Sequence, residues 1–391
     1  MPTRQLFSGK GMARIVLISK YPPIEGGIAA KTFWLARSLA QRGHKVHIVT
    51  DRLGIAPEYS LHEYEDPPDT ENLFVHRPDT KVPWHIPNNN HFDLDLLNTT
   101  VQVIKEYDAD VIDTGYLIPY GVVACLASRM TGIPYILRHG GSDIHKFVLA
   151  GVWKDLLEDV FSNSALTITD KIGYDVVSRL SSRVEILHPY VPDATFFKSI
   201  REENGQPPTL ALIGKANYYW RHKGWHKVIE IMKALGSKFK LVVVSQGIGF
   251  QELRKCITQS IGANVEWRDF CHPSEMPELL NSVEGALLLS GDLPFPAFSN
   301  LLLEALFCGK LIITDNPDIL QSYQYGLNLE RFTQNILPIP VDDFETAAKT
   351  ISERFEKVHT STDVSGQPQA IAAKDYQTYI RKNENAMLSV L

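Results

Sequence analysis

The chain has 391 residues and a mass of 44.0 kDa, more than one hydrophobic core usually organises, so two domains are expected. Hydrophobic residues make up 44% and charged residues 21%, the balance of an ordinary globular protein rather than a disordered one. A formal charge of −6 with a pI near 6.1 argues against general nucleic-acid binding but leaves room for a local basic pocket.

No apolar run approaches the roughly 20 residues a membrane helix needs, and residues 1–11 lack the apolar centre of a signal peptide. Cys125, Cys256, Cys271 and Cys308 show no metal-type spacing. Free thiols in a reducing, cytoplasmic compartment are the expectation. Residues 14–19 form a short apolar strand. A loop with Pro22, Pro23, Glu25, Gly26 and Gly27 then leads into a helix over residues 32–40, where Leu35 and Leu39 share a face, and Gly43 ends it. Residues 46–50 are the second strand. This is a βαβ unit with a glycine pair where backbone can approach a ligand closely. The full G-x-G-x-x-G pattern is missing, which argues against a dinucleotide-binding dehydrogenase.

Residues 51–100 are rich in Pro and Asn. Asp93 and Asp95 have the spacing of a pair that can hold a divalent cation, yet they follow a turn-like stretch, 87–90, and lead into Leu94, Leu96 and Leu97. They read as a helix opening, and no metal site is expected. Strands are predicted over 109–113, 134–137, 165–169 and 184–187, with a helix over 121–130. His139 stands at the end of one of these strands, followed by Gly140, Gly141 and the capping candidate Asp143. That is where open parallel sheets place ligands. A charged, Pro-rich stretch over 201–208 marks the domain boundary.

A second series of apolar strands, 210–214, 241–244, 265–267, 285–290 and 311–314, alternates with segments of helical spacing such as 227–232. The predicted fold class is α/β: two doubly wound, Rossmann-like domains facing across a cleft, residues 1–200 and 201–375, with a last helix over 376–391 that packs back on the first domain. Lys215, Arg221 and Lys223 gather on one loop at the first strand end of the second half. A basic cluster there suits a diphosphate; the alternative is a solvated loop with ordinary surface charges.

The organising stretch is 295–309. Pro294 and Pro296 keep the linker out of helix, Ser299 or Asn300 can cap the helix that follows, and Gly309 suits its C′ position. Glu304 is the single carboxylate inside an otherwise apolar helix. One reading stabilises it through the helix dipole alone. The other has it accept two hydroxyl hydrogen bonds from a ribose, beside helix-terminal amides that take a phosphate.

In their order and spacing these segments resemble the retaining GT-B glycosyltransferases of family 4, also called glycosyltransferase group 1. The likeness rests on residues 23–27, 43–46, 214–224, 274–280 and above all 298–309. It implies transfer of a sugar from a nucleoside diphosphate sugar to an acceptor hydroxyl, with retained anomeric configuration, in glycan, polysaccharide or glycolipid synthesis. Carried over by position, Glu304 binds the donor ribose, and Lys215 and Lys223, with Arg221 beside them, neutralise the diphosphate. Amides near Phe298, Ser299, Asn300 and Leu301 hold sugar and phosphates. His139 approaches the sugar, and Gly26 and Gly27 lie across the cleft. The donor is a co-substrate, and no cofactor or metal is implied.

Two residues depart from the pattern. Pro296 stands where the family has a glutamate that contacts the transferred sugar, so Asp292 is expected to reach in or the sugar is held differently. Lys215 replaces an arginine, losing the bidentate fork but keeping charge. A rival reading follows from Pro296: a GT-B shell that has lost catalysis and acts as a nucleotide-sugar-binding or scaffolding partner. The acceptor, a glycan, a lipid-linked or a small-molecule hydroxyl, is expected on the loops of 51–100. Peripheral contact with the inner membrane face is the family's implication and carries no motif of its own here.

Overall fold

The computed structural model describes residues 11–391 except 63, 67, 80–91, 201–206, 218, 293–298, 325–326, 341 and 359–366. Short runs of β-branched and aliphatic residues form its strands. Ile15 to Ile18, for example, are all at most 2% exposed, because a parallel strand covered by helices on both faces has no solvent side and needs no polar alternation.

The first sheet contains β1 (Arg14–Ile18), β2 (Lys45–Val49), β3 (Leu73–His76), β4 (Val111–Thr114), β5 (Tyr135–Arg138), β6 (Leu166–Thr169) and β7 (Val184–Ile186). Its order is 3-2-1-4-5-6-7, and every pairing is parallel. The second contains β8 (Thr209–Ile213), β9 (Lys240–Val244), β10 (Val265–Arg268), β11 (Gly285–Leu287), β12 (Leu311–Thr314) and β13 (Ile336–Pro338). Its order is 10-9-8-11-12-13, again parallel throughout. Each sheet therefore reverses direction once, between β1 and β4 and between β8 and β11. Those switch points open the crevice where such sheets bind ligands.

β3 and β13 carry weak signals in the sequence. All four residues of β3 are only half-buried, and β13 ends on a proline, which an edge strand tolerates. Asp93 and Asp95 fall in the first turn of the Phe92–Glu106 helix, where the helix dipole favours them.

One hydrophobic core runs through both halves. Trp34 and Leu39 from the Gly27–Gln41 helix, Phe197 from the connecting segment, Leu302 and Leu306 from the Asn300–Phe307 helix, and Tyr376 and Ile380 belong to the same buried cluster. The Gln367–Leu388 helix lies across the first domain. Arg42 and His44 both pair with Glu384, Tyr376 bonds Ser38, and buried Asn383 accepts from Arg138 at 2.7 Å. Among the described residues no helix is long and apolar enough to cross a membrane.

Candidate active site

The carboxyl ends of the two sheets border a cavity of about 610 Å³. One wall carries His139, Gly141 and Asp170 from the first domain. The other carries Gly214, Lys223, Ser290, Ser299 and Asn316 from the second.

The second-domain wall is built by close backbone approach. Gly224 has φ +77°, and a Cβ there would sit 2.5 Å from the Ser290 carbonyl oxygen, so only glycine lets the Lys223 loop close onto the strand end. Asp315 fixes that strand end: its Oδ1 accepts from the Ser290 amide at 2.6 Å and its Oδ2 pairs with Lys227 at 3.0 Å. Lys223 donates to the Lys215 carbonyl at 2.7 Å and lies 5.3 Å from the Trp225 ring centroid. Burial pushes the Lys223 ammonium down to about 8. The Lys215 ammonium falls to about 7 through burial first, then the charge of Lys20, with Glu25 opposing.

The Asn300–Phe307 helix begins at this wall, and all eight of its residues are buried. The expected cap is absent: Ser299 precedes the helix but makes no side-chain capping bond. Its amide donates instead to the Tyr323 hydroxyl at 2.7 Å, and the Asn300 side chain crosses the cleft to the Gly27 carbonyl at 3.0 Å. A helix start without a side-chain cap keeps its N–H groups for another acceptor. At the far end Gly309 adopts φ +71°, the left-handed stop that its sequence position implies.

Glu304 is 5% exposed and is not left to the helix dipole. The Tyr190 hydroxyl, from the segment after β7, donates to Glu304 Oε1 at 2.9 Å. Burial raises the Glu304 carboxyl to about 7, and that hydrogen bond pulls the other way. The carboxylate thus sits at the domain junction with a partner that the sequence did not disclose.

On the first-domain wall His139 is fully engaged. The Gly141 amide donates to Nδ1 at 3.1 Å, which leaves the proton on Nε2, and Nε2–H donates to Thr169 Oγ1 at 2.7 Å. Burial lowers the imidazole's pKa, with Asp143 and Asp170 opposing. Asp143 is fully buried and accepts from the amides of Leu117, Gly140 and Ile144. The expected cap is therefore present, and it also ties the loop to the neighbouring strand end. Gly26, at φ +130°, lies beneath Lys215: a Cβ there would be 2.8 Å from Lys215 Cε.

Lys215, Lys223, Ser299, Asn300, Glu304, His139, Gly26 and Gly27 thus collect along the junction of the two domains. Two expected site residues differ. Arg221 points outward, half-exposed, pairing with Glu252 at 2.6 Å and stacking 4.2 Å from the Trp220 ring centroid; two residues along a tight 3-10 turn separate it from Lys223 in direction. Asp292 is exposed to solvent rather than reaching in. The Leu301 side chain belongs to the core, which leaves its backbone amide, the group the resemblance implies, for a ligand. Phe298 and Pro296 lie outside the described residues. Glu25, Tyr190, Tyr323 and Asn316 were not singled out by sequence. The run of Glu25 directly into the Gly26–Gly27 pair was the available signal for the first; Tyr190 and Tyr323 meet Glu304 and Ser299 only through folding.

With this geometry in hand, residues 26–160 match the family described as glycosyl transferase 4-like domain. A curated relative from Bacillus anthracis, N-acetyl-alpha-D-glucosaminyl L-malate synthase, is 21% identical over 334 residues, covering 79% of this chain and 81% of its own. Among solved structures, HepE of Anabaena in complex with UDP and glucose has a TM-score of 0.67 at 15% identity, covering 97% of this chain and 100% of its own. Sucrose-phosphate synthase from Thermosynechococcus elongatus has a TM-score of 0.60 at 15% identity, over 97% and 94%. The fold is that of the GT-B glycosyltransferase structures, and the first domain carries the match to the glycosyl transferase 4-like family.

Proposed function

We propose that the chain transfers a sugar from a nucleoside diphosphate sugar to an acceptor hydroxyl with retention of configuration. The observation that carries this reading is the interdomain cavity, with Lys223 and the uncapped start of the Asn300–Phe307 helix on one wall and His139 and Gly141 on the other. The diphosphate lies against Lys223 and the helix start, with Lys215 closing from the Gly26 side. Glu304, one oxygen held by Tyr190, offers the other to the ribose. As the bond from the anomeric carbon to the diphosphate breaks, negative charge grows on the leaving oxygen, and cations fixed in a low-dielectric cleft stabilise it. The acceptor oxygen bonds the same face, and its proton passes to that leaving phosphate oxygen. His139, with both ring nitrogens committed, shapes the sugar site and takes no proton.

The acceptor then approaches over the first domain, and glycans, lipid-linked alcohols and small hydroxylated molecules are the classes to screen. A lipid-linked acceptor would bring with it peripheral contact at the cytoplasmic membrane face. HepE of Anabaena is solved in complex with UDP and glucose and with UDP-glucose, which puts UDP-glucose first in a panel of nucleotide sugars. Transfer, or donor hydrolysis without acceptor, supports the enzyme. Binding of the nucleotide with neither reaction supports the second reading, a nucleotide-sugar-binding partner, which Pro296 motivates because proline offers neither a carboxylate nor an N–H.

A further inference from the structure

Part of the segment between β2 and β3 folds back over the glycine turn as a strap. The Glu25 amide donates to the Tyr59 carbonyl at 2.8 Å and the Leu61 amide to the Pro23 carbonyl at 2.9 Å, while Ile24 and Ser60 form an isolated antiparallel bridge. Tyr59 ends the short 3-10 turn Pro57–Tyr59, so its backbone is fixed to the first domain. Its ring, half-buried, reaches the second. A Cβ on Gly247, just past β9 and at φ +127°, would sit 2.5 Å from Tyr59 Cε1, so the ring edge fits against that loop only because glycine stands there. The ring's face meets Lys215: Nζ lies over it, 5.1 Å from the centroid, within the roughly 6 Å over which an aromatic face attracts a cation. The Lys215 stem meanwhile passes over Gly26, where a Cβ would be 2.8 Å from Cε. Gly26 and Tyr59, joined through the Glu25 amide, therefore hold between them one lysine of the other domain.

We infer that Tyr59 is a positioning residue for Lys215: its ring holds the ammonium against the glycine turn, so the first domain sets where this second-domain cation points. An aliphatic side chain would fill much of the same space yet offer no π face. The purpose, aiming a cation at a diphosphate, rests on the sugar-transfer reading, but the first test needs no ligand.

That test is NMR of the full-length, ligand-free protein, deuterated except for tyrosine and 13Cε-labelled lysine, with the Lys215 signal assigned by its loss in Lys215→Met. At pH 6, below the value of about 7 to which burial draws Lys215, the ammonium is largely charged. Ring current from Tyr59 should shift the Lys215 Hε resonances upfield. Tyr59→Leu should return them toward those of exposed lysines, and Tyr59→Phe, which keeps the face, should leave them in place. Resonances that ignore Tyr59→Leu, in a variant that melts like the parent, overturn the inference. Should that variant not fold, cross-relaxation between Lys215 Hε and the Tyr59 ring protons decides in the parent: its presence supports the contact and its absence refutes it. Pyrophosphate binding by calorimetry then reads the consequence. Tyr59→Leu should weaken it by about 3- to 30-fold, Tyr59→Phe should hardly change it, and the loss should vanish in a Lys215→Met background. An equal loss in that background overturns the positioning role. No pyrophosphate binding by the parent, with the Lys215 resonances still following Tyr59, would sink only the sugar-transfer reading.

Discussion

The two walls of the cleft are finished to different degrees. On the first-domain side, the loop after β5 satisfies itself: His139 spends both nitrogens on Thr169 and Gly141, and Asp143 accepts three kinds of amide. On the second-domain side, the loop after β8 brings two lysines into low-dielectric surroundings, and burial pulls both ammonium groups down. A wall complete in itself sets shape. A wall that buries cationic charge is suited to an anion, whose arrival would offset the cost of that burial. Under the proposed sugar transfer, the contrast favours donor anchoring by the second domain and shaping of the sugar and acceptor site by the first.

The contrast breaks most readily at Lys223. Lys223→Ala should lower kcat by roughly 100-fold or more, as loss of a charge that stabilises the transition state does, and leave the melting temperature unchanged or raised. The sign follows from the depressed pKa: a lysine at about 8 when folded burdens the native state below that pH, so removing it relieves the fold. Equal turnover in parent and variant would remove Lys223 from the site.

On the opposite wall the expectation is inverted. Asp143→Ala should cost stability first, about 3 kcal/mol, since three amides lose their acceptor; denaturant titration measures it. A variant of parental stability and no activity would make that wall chemical rather than structural.

pH sharpens the comparison further. With Lys215 at about 7 and Lys223 at about 8, a bound diphosphate raises both, so binding takes up protons and affinity must fall as pH climbs through that window. The decline is at most about tenfold per pH unit for each lysine. Calorimetry of nucleoside diphosphate in buffers of differing ionisation enthalpy checks both the uptake and its direction; proton release would contradict it.

Arg221 gives the smallest effect. Its ion pair with Glu252 is solvent-exposed, and such pairs contribute little. Arg221→Ala should keep parental kinetics, with a melting temperature within about 2 °C. Lost donor affinity there would mean the loop rearranges when the ligand enters.

Much of the framework was readable in advance because buried parallel strands announce themselves as short apolar runs. Residues 14–18, 111–114, 240–244 and 311–314 all form strands where such runs stand. Leu73 to His76 escaped notice because the strand is an edge, half-buried, set among prolines. For the candidate site, strand-end position and residue type pointed to His139, Lys215 and Lys223, and a lone carboxylate in an apolar helix pointed to Glu304. They could not say which way a side chain turns. Lys223 and Arg221 are neighbours in sequence, and the 3-10 turn over Arg221–Lys223 sends one inward and the other to solvent. Nor could they find Tyr190, whose partner Glu304 is 114 residues away. Long-range hydrogen bonds of that kind leave no periodic trace.

The Gln367–Leu388 helix has a consequence for how the molecule is made. Glu384 pairs with Arg42 and His44, Asn383 with Arg138, and Ser389 just beyond it with Arg183, so a domain whose strands emerge from the ribosome early gains its last stabilising cover from residues translated after the whole of the other sheet. Until then the Arg138 guanidinium lacks its Asn383 partner and the face beneath Tyr376 and Ile380 stands open. The first-synthesised half should gain its full local stability only once residues 367–389 have been made.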